Sequence, residues 1–221
     1  MNLSFPFLKT KRGQQIFAAL ALIFLSTIAI DQISKKHAHE SLLTYQDEKN
    51  VEYYRSTFFD VGSIGNELAE EGKVPFFVHL KFQYQRNRGA AFSMLANLPD
   101  HVRVPFFYAV TLFSVFYILY YLRVLPINFH LSRFGLVMIM SGAIGNFIDR
   151  LIRGYVIDFV DVSWNIFGWR HDFAVFNVAD IAINIGIIAF LIEILLRRTP
   201  VYANFPVDEG APLAKAKSAA P

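Results

Sequence analysis

Four runs of the chain carry no charged residue: 16–30 (IFAALALIFLSTIAI), 104–122 (VPFFYAVTLFSVFYILYYL), 134–148 (FGLVMIMSGAIGNFI) and 181–192. A helix that crosses a bilayer needs about 20 mostly apolar residues, and the second run alone comes close to that length unaided. The others reach it by taking in polar flanks: Asp31 after the first, Asp149 and Arg150 after the third, Asp180 before the fourth. A soluble core of 221 residues has no room for four helices that are apolar on every side. The 18% of charged residues also falls below the roughly 25% of a soluble domain. The pattern therefore predicts a polytopic membrane protein with four transmembrane helices.

Basic residues set the expected orientation. Lys9, Lys11 and Arg12 precede the first run, Arg123 and Arg133 flank the link between the second and third, and Arg197 and Arg198 follow the fourth. The positive-inside rule then puts both termini and 123–133 in the cytoplasm, with 34–103 and 153–175 outside. A basic start followed by an apolar run resembles a secretory signal. No small-x-small cleavage site follows Ile30 and three more runs come later, so the first helix is expected to stay uncleaved. The chain has no cysteine, which excludes disulfides, thiol catalysis and cysteine-held metals. A net charge of +3 fits basic membrane edges and does not point to nucleic acid.

Between the runs the periodicity changes. Val78 to Gln85 alternates strictly between apolar and polar residues, as a half-buried strand does. Asn87-Arg88-Gly89 breaks that alternation as a turn, after which an apolar run resumes at 90–95. Tyr155 to Val162 is a second strand candidate, rich in β-branched and aromatic residues. Residues 40–75 are mixed and polar, an outward insert with at most a helical turn in 41–56. The second helix is expected to begin near Pro105, with Tyr117, Tyr120 and Tyr121 as an interfacial belt, and the fourth near Val175. Gly135, Ser141, Gly142 and Gly145 would let the third helix approach its neighbours closely. Trp164 and Trp169 read as interface anchors.

The stretch 141–184 concentrates the chemistry. It places Asp149, Asp158, Asp161, Asp172 and Asp180, with Asn146, Asn177 and Asn184, beside or inside the apolar runs. An ionisable group at a span centre costs about 2.5–3.5 kcal/mol on insertion scales, so such groups mark function. Helical spacing puts Asn146, Asp149 and Arg150 on one face, and Asn177, Asp180 and Asn184 on another. With a start near Val175, Asp180 would lie about 7–8 Å along its helix. Two carboxylates in a partly desolvated site share a proton, so one can activate water while the other donates to a carbonyl. Three alternatives stand beside that reading. The acids could pair with Arg150, Arg153 and Arg170; they could carry protons or ions, through Asp149 and Asp180; or the protein could be a membrane scaffold. Asp31 and Lys35, four apart, read on spacing alone as a solvated pair at a helix end. There is no HExxH or Gly-x-Ser-x-Gly motif, His37 and His39 fall on an exposed loop, and His79, His101, His130 and His171 are isolated. No metal and no cofactor is expected.

Five stretches, in order, carry a family resemblance: DQISK at 31–35, NRGAAF at 87–92, GNFIDR at 145–150, GYVIDF at 154–159 and FNVADIA at 176–182. Together they make the chain, over residues 15–196, closely similar to the lipoprotein signal peptidases (signal peptidase II), bacterial aspartyl endopeptidases of the membrane. The resemblance implies a catalytic pair of Asp158 and Asp180. It implies that Asn87, with Gly89 in its turn, and Asn146, Arg150 and Asn177 orient the pair or the substrate. It further implies that Asp31 and Lys35 support the site and that Asp149 partners Arg150. The substrate implied is a prolipoprotein whose cysteine carries diacylglycerol, cut just before that cysteine by a monomeric enzyme of the bacterial inner membrane. The fold class expected is an all-α polytopic membrane protein, four transmembrane helices with a small extracytoplasmic β-cradle. Residues 1–198 would form one membrane domain, with an outer insert over about 40–103, and 199–221 a disordered cytoplasmic tail. Against the family pattern the insert at 40–75 and the segment between the two aspartates are long, and Ile181 replaces a small polar residue.

Overall fold

The computed structural model describes residues 6–48, 51–56, 59–66, 76–89 and 99–196. The apolar run expected at 90–95, part of the insert and the tail at 199–221 lie outside the described residues. Among the described residues, four helices are long and apolar enough to cross a membrane: α1 (Lys11–Leu42), α2 (Asp100–Val124), α3 (His130–Arg153) and α4 (Val178–Leu196). All four expected spans are present, and a small antiparallel sheet caps one end of the bundle.

α3 is the central helix and α1 the most lipid-exposed, with Leu22 and Leu25 more than 60% exposed. Small residues explain how α3 is enclosed. A Cβ on Gly135 would meet the Gly186 carbonyl, and one on Gly142 the Ala179 carbonyl, so α3 and α4 pack backbone to backbone. At the end opposite the sheet, Arg133 is buried and its guanidinium donates to the carbonyls of Leu122, in the last turn of α2, and Leu125, its cap. Glu193 of α4 accepts the Ser132 N–H at 2.5 Å, occupying a free donor at the start of α3. Neither partnership follows from the charge pattern, which marked Arg133 as a basic loop edge.

Helix boundaries differ from expectation for identifiable reasons. α1 runs on through Asp31 and Lys35 to Leu42, about 48 Å at 1.5 Å per residue, and so passes well beyond a hydrocarbon core of about 30 Å. This places His37 and His39 on its last turns and not on a loop. α2 begins at Asp100, a turn before Pro105, because the Pro99 carbonyl takes the first N–H groups, from Val102 and Arg103, at 3.0 Å. α3 ends at Gly154, whose φ of 78° is the left-handed conformation that closes a helix, and the chain turns directly into the sheet.

The sheet orders β3 (Phe59–Asn66), β4 (Phe76–Asn87), β5 (Val156–Ile166) and β6 (Trp169–Asp172) antiparallel. The two expected strands are its centre, longer than their sequence signals. The insert holds a separate hairpin, β1 (Leu43–Glu48) with β2 (Val51–Ser56), where a helical turn was expected. Ala38 and Leu42 of α1 pack against Tyr84, Ile157 and Phe159, fastening the sheet to the bundle. Within β5 the N–H groups of Phe159 and Val160 both donate to the Phe176 carbonyl, at 3.0 and 2.8 Å. The ladder with β4 is irregular at the same place, with Gln83 and Tyr84 standing against Phe159 alone. Beyond this bulge the side-chain alternation of β5 is reversed, so that Asp158 and Asp161 line the same cavity.

Candidate active site

Asp158 is the third residue of β5 and Asp180 the third of α4. Asn177 joins them. Its Oδ1 accepts the Asp180 N–H at 3.0 Å, and Asp180 Oδ2 accepts the Asn177 N–H at 3.1 Å, a reciprocal cap on the first turn of α4. Its Nδ2 donates to Asp158 Oδ1 at 2.6 Å. One asparagine therefore fixes both carboxylates. It stands just outside α4, not on it. With α4 starting at Val178, Asp180 lies only about 3 Å along the axis, shallower than the sequence implied.

Two further carboxamides complete the frame. Asn87, at the end of β4, donates to Asp158 Oδ2 at 2.9 Å, while its Oδ1 accepts the Gly89 N–H at 2.9 Å and shapes the turn. Asn146 of α3 donates to Asp180 Oδ1 at 2.9 Å. Arg150, one turn on, donates to the carbonyls of Gly89 at 2.9 Å and Asn146 at 3.3 Å and lies over the Phe107 ring. Burial, and then the charge of Asp180, push the Asp158 carboxyl up to about 6; the hydrogen bonds from Asn87 and Asn177 and the Lys35 charge act the other way.

Behind this frame sits a buried cation. Lys35 Nζ lies 2.9 Å from Asp31 and 3.1 Å from Asp149, and donates to Asn146 Oδ1 at 2.9 Å. Both acids are at most 1% exposed and Lys35 is fully buried, so the Asp31–Lys35 pair is not the solvated one that spacing favoured. Asp31 also accepts the Ala179 N–H at 2.9 Å, and Gly145 leaves room for its carboxylate. Asp149 bonds Lys35, Arg153 at 2.7 Å, the Ile157 N–H at 3.2 Å and the Gln32 amide at 3.4 Å; Arg150 is not among these partners. Asp31 and Asp149 thus brace α1, α3 and β5 against each other.

Asp158 and Asp180 open onto a cavity of about 1440 Å³. Alternate β4 residues line one side and isoleucines of α4 another, with Phe107 of α2 and Arg150 at the mouth of the pair. Asp161 also lines it, accepting from Gln83 at 2.6 Å and paired with Lys81 at 3.1 Å. The sequence did not single Asp161 out from its neighbours as a cavity residue. Three residues past Asp158 it belongs to the opposite face of a regular strand, and the bulge at Phe159–Val160 brings it round. Asp172 pairs with Arg170 on the exposed rim. His39 meets the Tyr84 hydroxyl at 3.1 Å, away from the pair. Among the described residues no three His, Asp or Glu side chains converge as a metal site.

The family model described as Signal peptidase (SPase) II matches residues 23–196. A lipoprotein signal peptidase of Anaeromyxobacter sp. (strain Fw109-5) is 33% identical over 187 residues, 81% of this chain and 86% of that one. One from Shouchella clausii (strain KSM-K16) is 39% identical over 132 residues, 59% of this chain and 78% of that one. A solved bacterial membrane enzyme, determined by the in meso method at 1.9 Å, is similar with a TM-score of 0.55 and 27% identity, over 82% of this chain and 95% of its own.

Proposed function

From the premise that the chain belongs to the signal peptidase II family, a family of bacterial multi-pass membrane peptidases that remove signal peptides from lipoproteins, we propose that it is an aspartic endopeptidase with Asp158 and Asp180 as its catalytic pair. The bond cut is the one just before a cysteine that carries diacylglycerol. The observation that carries this reading is Asn177, which bonds both carboxylates, Asp158 through its side-chain amide and Asp180 through its backbone N–H, where they line one cavity. Protonated Asp158 donates to the scissile carbonyl oxygen. Ionised Asp180, at the positive end of α4, takes a proton from the attacking water. The water oxygen bonds to the carbonyl carbon and a neutral gem-diol forms. Its collapse breaks the C–N bond: Asp180 passes its proton to the leaving amine and a diol hydroxyl returns one to Asp158. Carboxylates in these roles require no metal or cofactor.

The pair sits at the mouth of the bundle, so the substrate must be held at a set depth. Each methylene of the diacylglyceryl chains buried in lipid contributes about 0.8 kcal/mol, enough for two chains to fix that depth while the peptide enters the cavity. The site then faces outward from the bacterial inner membrane, with both termini in the cytoplasm and the enzyme acting as a monomer. An ion carrier built on Asp149 and Asp180 fits less well, because Asp149 is enclosed by Lys35 and Arg153 and does not line the cavity.

The test is cleavage of a lipidated precursor by purified protein in detergent, with a chelator present. Asp158→Asn and Asp180→Asn should each lose at least about a hundredfold in turnover, the usual worth of a general acid or base, while still inserting. Substantial turnover by either folded variant removes that residue from the pair, and inhibition by the chelator removes the mechanism.

A further inference from the structure

Asn184 lies four residues beyond Asp180 on α4 and lines the same cavity, yet the chemistry above makes no use of it. Its Nδ2 donates to the Asp180 carbonyl at 2.9 Å. In a helix that carbonyl already receives the backbone N–H of residue 184. The side-chain bond therefore completes no unpaired backbone group; it only turns the carboxamide toward the head of the helix. The Oδ1 atom and the second N–H of Nδ2 are left on an exposed side chain facing the cavity.

Its neighbours on that face are apolar. Ile181, Ile185 and Ile188 are 40%, 42% and 57% exposed, a strip suited to acyl chains or to an apolar helix. On such a strip leucine is better than asparagine both as a helix former and in lipid. A carboxamide kept there calls for a polar partner that arrives from outside the chain.

We propose that Asn184 binds the backbone of the signal segment, at the peptide group about two residues before the scissile bond. This rests on the peptidase reading given above. A signal segment crosses the bilayer as a helix, and its scissile bond becomes accessible to Asp158 and Asp180 only when the last turn opens. Opening it frees N–H and C=O groups at a depth with little water, where each unpaired group costs several kcal/mol. Asn184 stands about 6 Å deeper than Asp180, at four residues of 1.5 Å. An extended chain covers that in about two residues at roughly 3.3 Å each. Oδ1 then accepts the freed N–H and Nδ2 donates to the freed C=O, the pairing that one amide offers another. Recognition of this kind is indifferent to the side chains of the precursor.

The experiment compares wild type with Asn184→Leu on two lipidated precursor peptides. One is all-amide, and the other carries an ester in place of the second peptide group before the cut, which deletes that N–H. Asn184→Leu should insert and be at least as heat-stable as wild type, yet lose roughly tenfold in kcat/KM, the worth of a good hydrogen bond out of water. The ester peptide should cost wild type a similar factor and cost the variant almost nothing more. Unchanged kcat/KM in the variant overturns the proposal, as do losses that multiply, or a drop in stability that accounts for the lost activity. If wild type fails to cut the all-amide lipidated peptide, the peptidase reading itself falls and this one with it.

Discussion

Removing the Asn87 side chain tests whether Asp158 is the acid of the pair. Burial and the Asp180 charge hold its carboxyl at about 6, while donation from Asn87 at 2.9 Å favours the ionised form. The pH dependence of kcat/KM reports ionisations of the free enzyme. With Asp158 as the acid, wild-type kcat/KM bends downward near pH 6 and then falls tenfold per unit. Asn87→Ala deletes one hydrogen bond to a charged group, worth about 1.5–3 kcal/mol, and at 1.36 kcal/mol per unit this is a shift of roughly 1–2 units. The sign is upward, because the ionised form loses a partner that the neutral form needs less. Water entering the gap recovers part of it, which leaves about one unit. The protonated fraction at pH 7.5 then rises from about 3% to about 24%, so the variant's relative deficit shrinks about eightfold on the alkaline side. Asn87 also holds the Gly89 turn at 2.9 Å, and a lower plateau is expected from its loosening. The position of the alkaline limb does not depend on that plateau. The assay is cleavage of a lipidated precursor from about pH 4 to about pH 9 at constant ionic strength. An alkaline limb that stays put or moves down in Asn87→Ala would refute the assignment of the proton to Asp158.

Two further outcomes are expected. Lys35→Met leaves Asp31 and Asp149 facing each other without their shared cation and should destabilise the protein by about 3–5 kcal/mol; a thermal midpoint in detergent equal to that of wild type would contradict the bracing role. For orientation, the native chain has no cysteine, so single cysteines can be placed at the exposed Lys36 and His130 and labelled from outside intact cells. Lys36→Cys should react and His130→Cys should not, and the reverse pattern would invert the proposed topology. Ser132, though nearby, is buried and could report nothing.

The four spans were legible because a long uncharged run has few other solutions, and β4 because strict alternation has one. The hairpin of β1 and β2 was not, since LTYQDE and VEYYRS are polar and only loosely periodic. Side-chain partners were legible only where they are local. Four-residue spacing put Lys35 beside Asp31, but their burial depends on Gly145 and Ala179, more than a hundred residues away in sequence. Spacing put Asn177 on one face of the fourth helix with Asp180, whereas it stands outside that helix and acts as its cap. Asp161 was hidden by a bulge that depends on the Phe176 carbonyl, a partner that no strand pattern announces. Glu193 and Arg133 were hidden in the same way, by the helix ends they cap.

The choice of asparagine around the pair has a physical reason. A lysine or arginine bonded directly to a carboxylate lowers its pKa by about 1–3 units and would hold both acids ionised. Asn87, Asn146 and Asn177 supply N–H groups without a net charge, so Asp158 is positioned and can still keep its proton to about pH 6. The cations are set one step back. Lys35 reaches Asp180 only through Asn146, its ammonium on the Asn146 carbonyl oxygen and the Asn146 amide on the carboxylate. Arg150 spends its hydrogen bonds on the carbonyls of Gly89 and Asn146 and not on either acid. Positive charge therefore stabilises the site as a whole, and in the proposed mechanism the proton destined for the carbonyl is not driven off Asp158. By the same argument, Asn146→Lys would bring a cation onto Asp180 itself and tie up the proposed base, although it preserves a donor at that position.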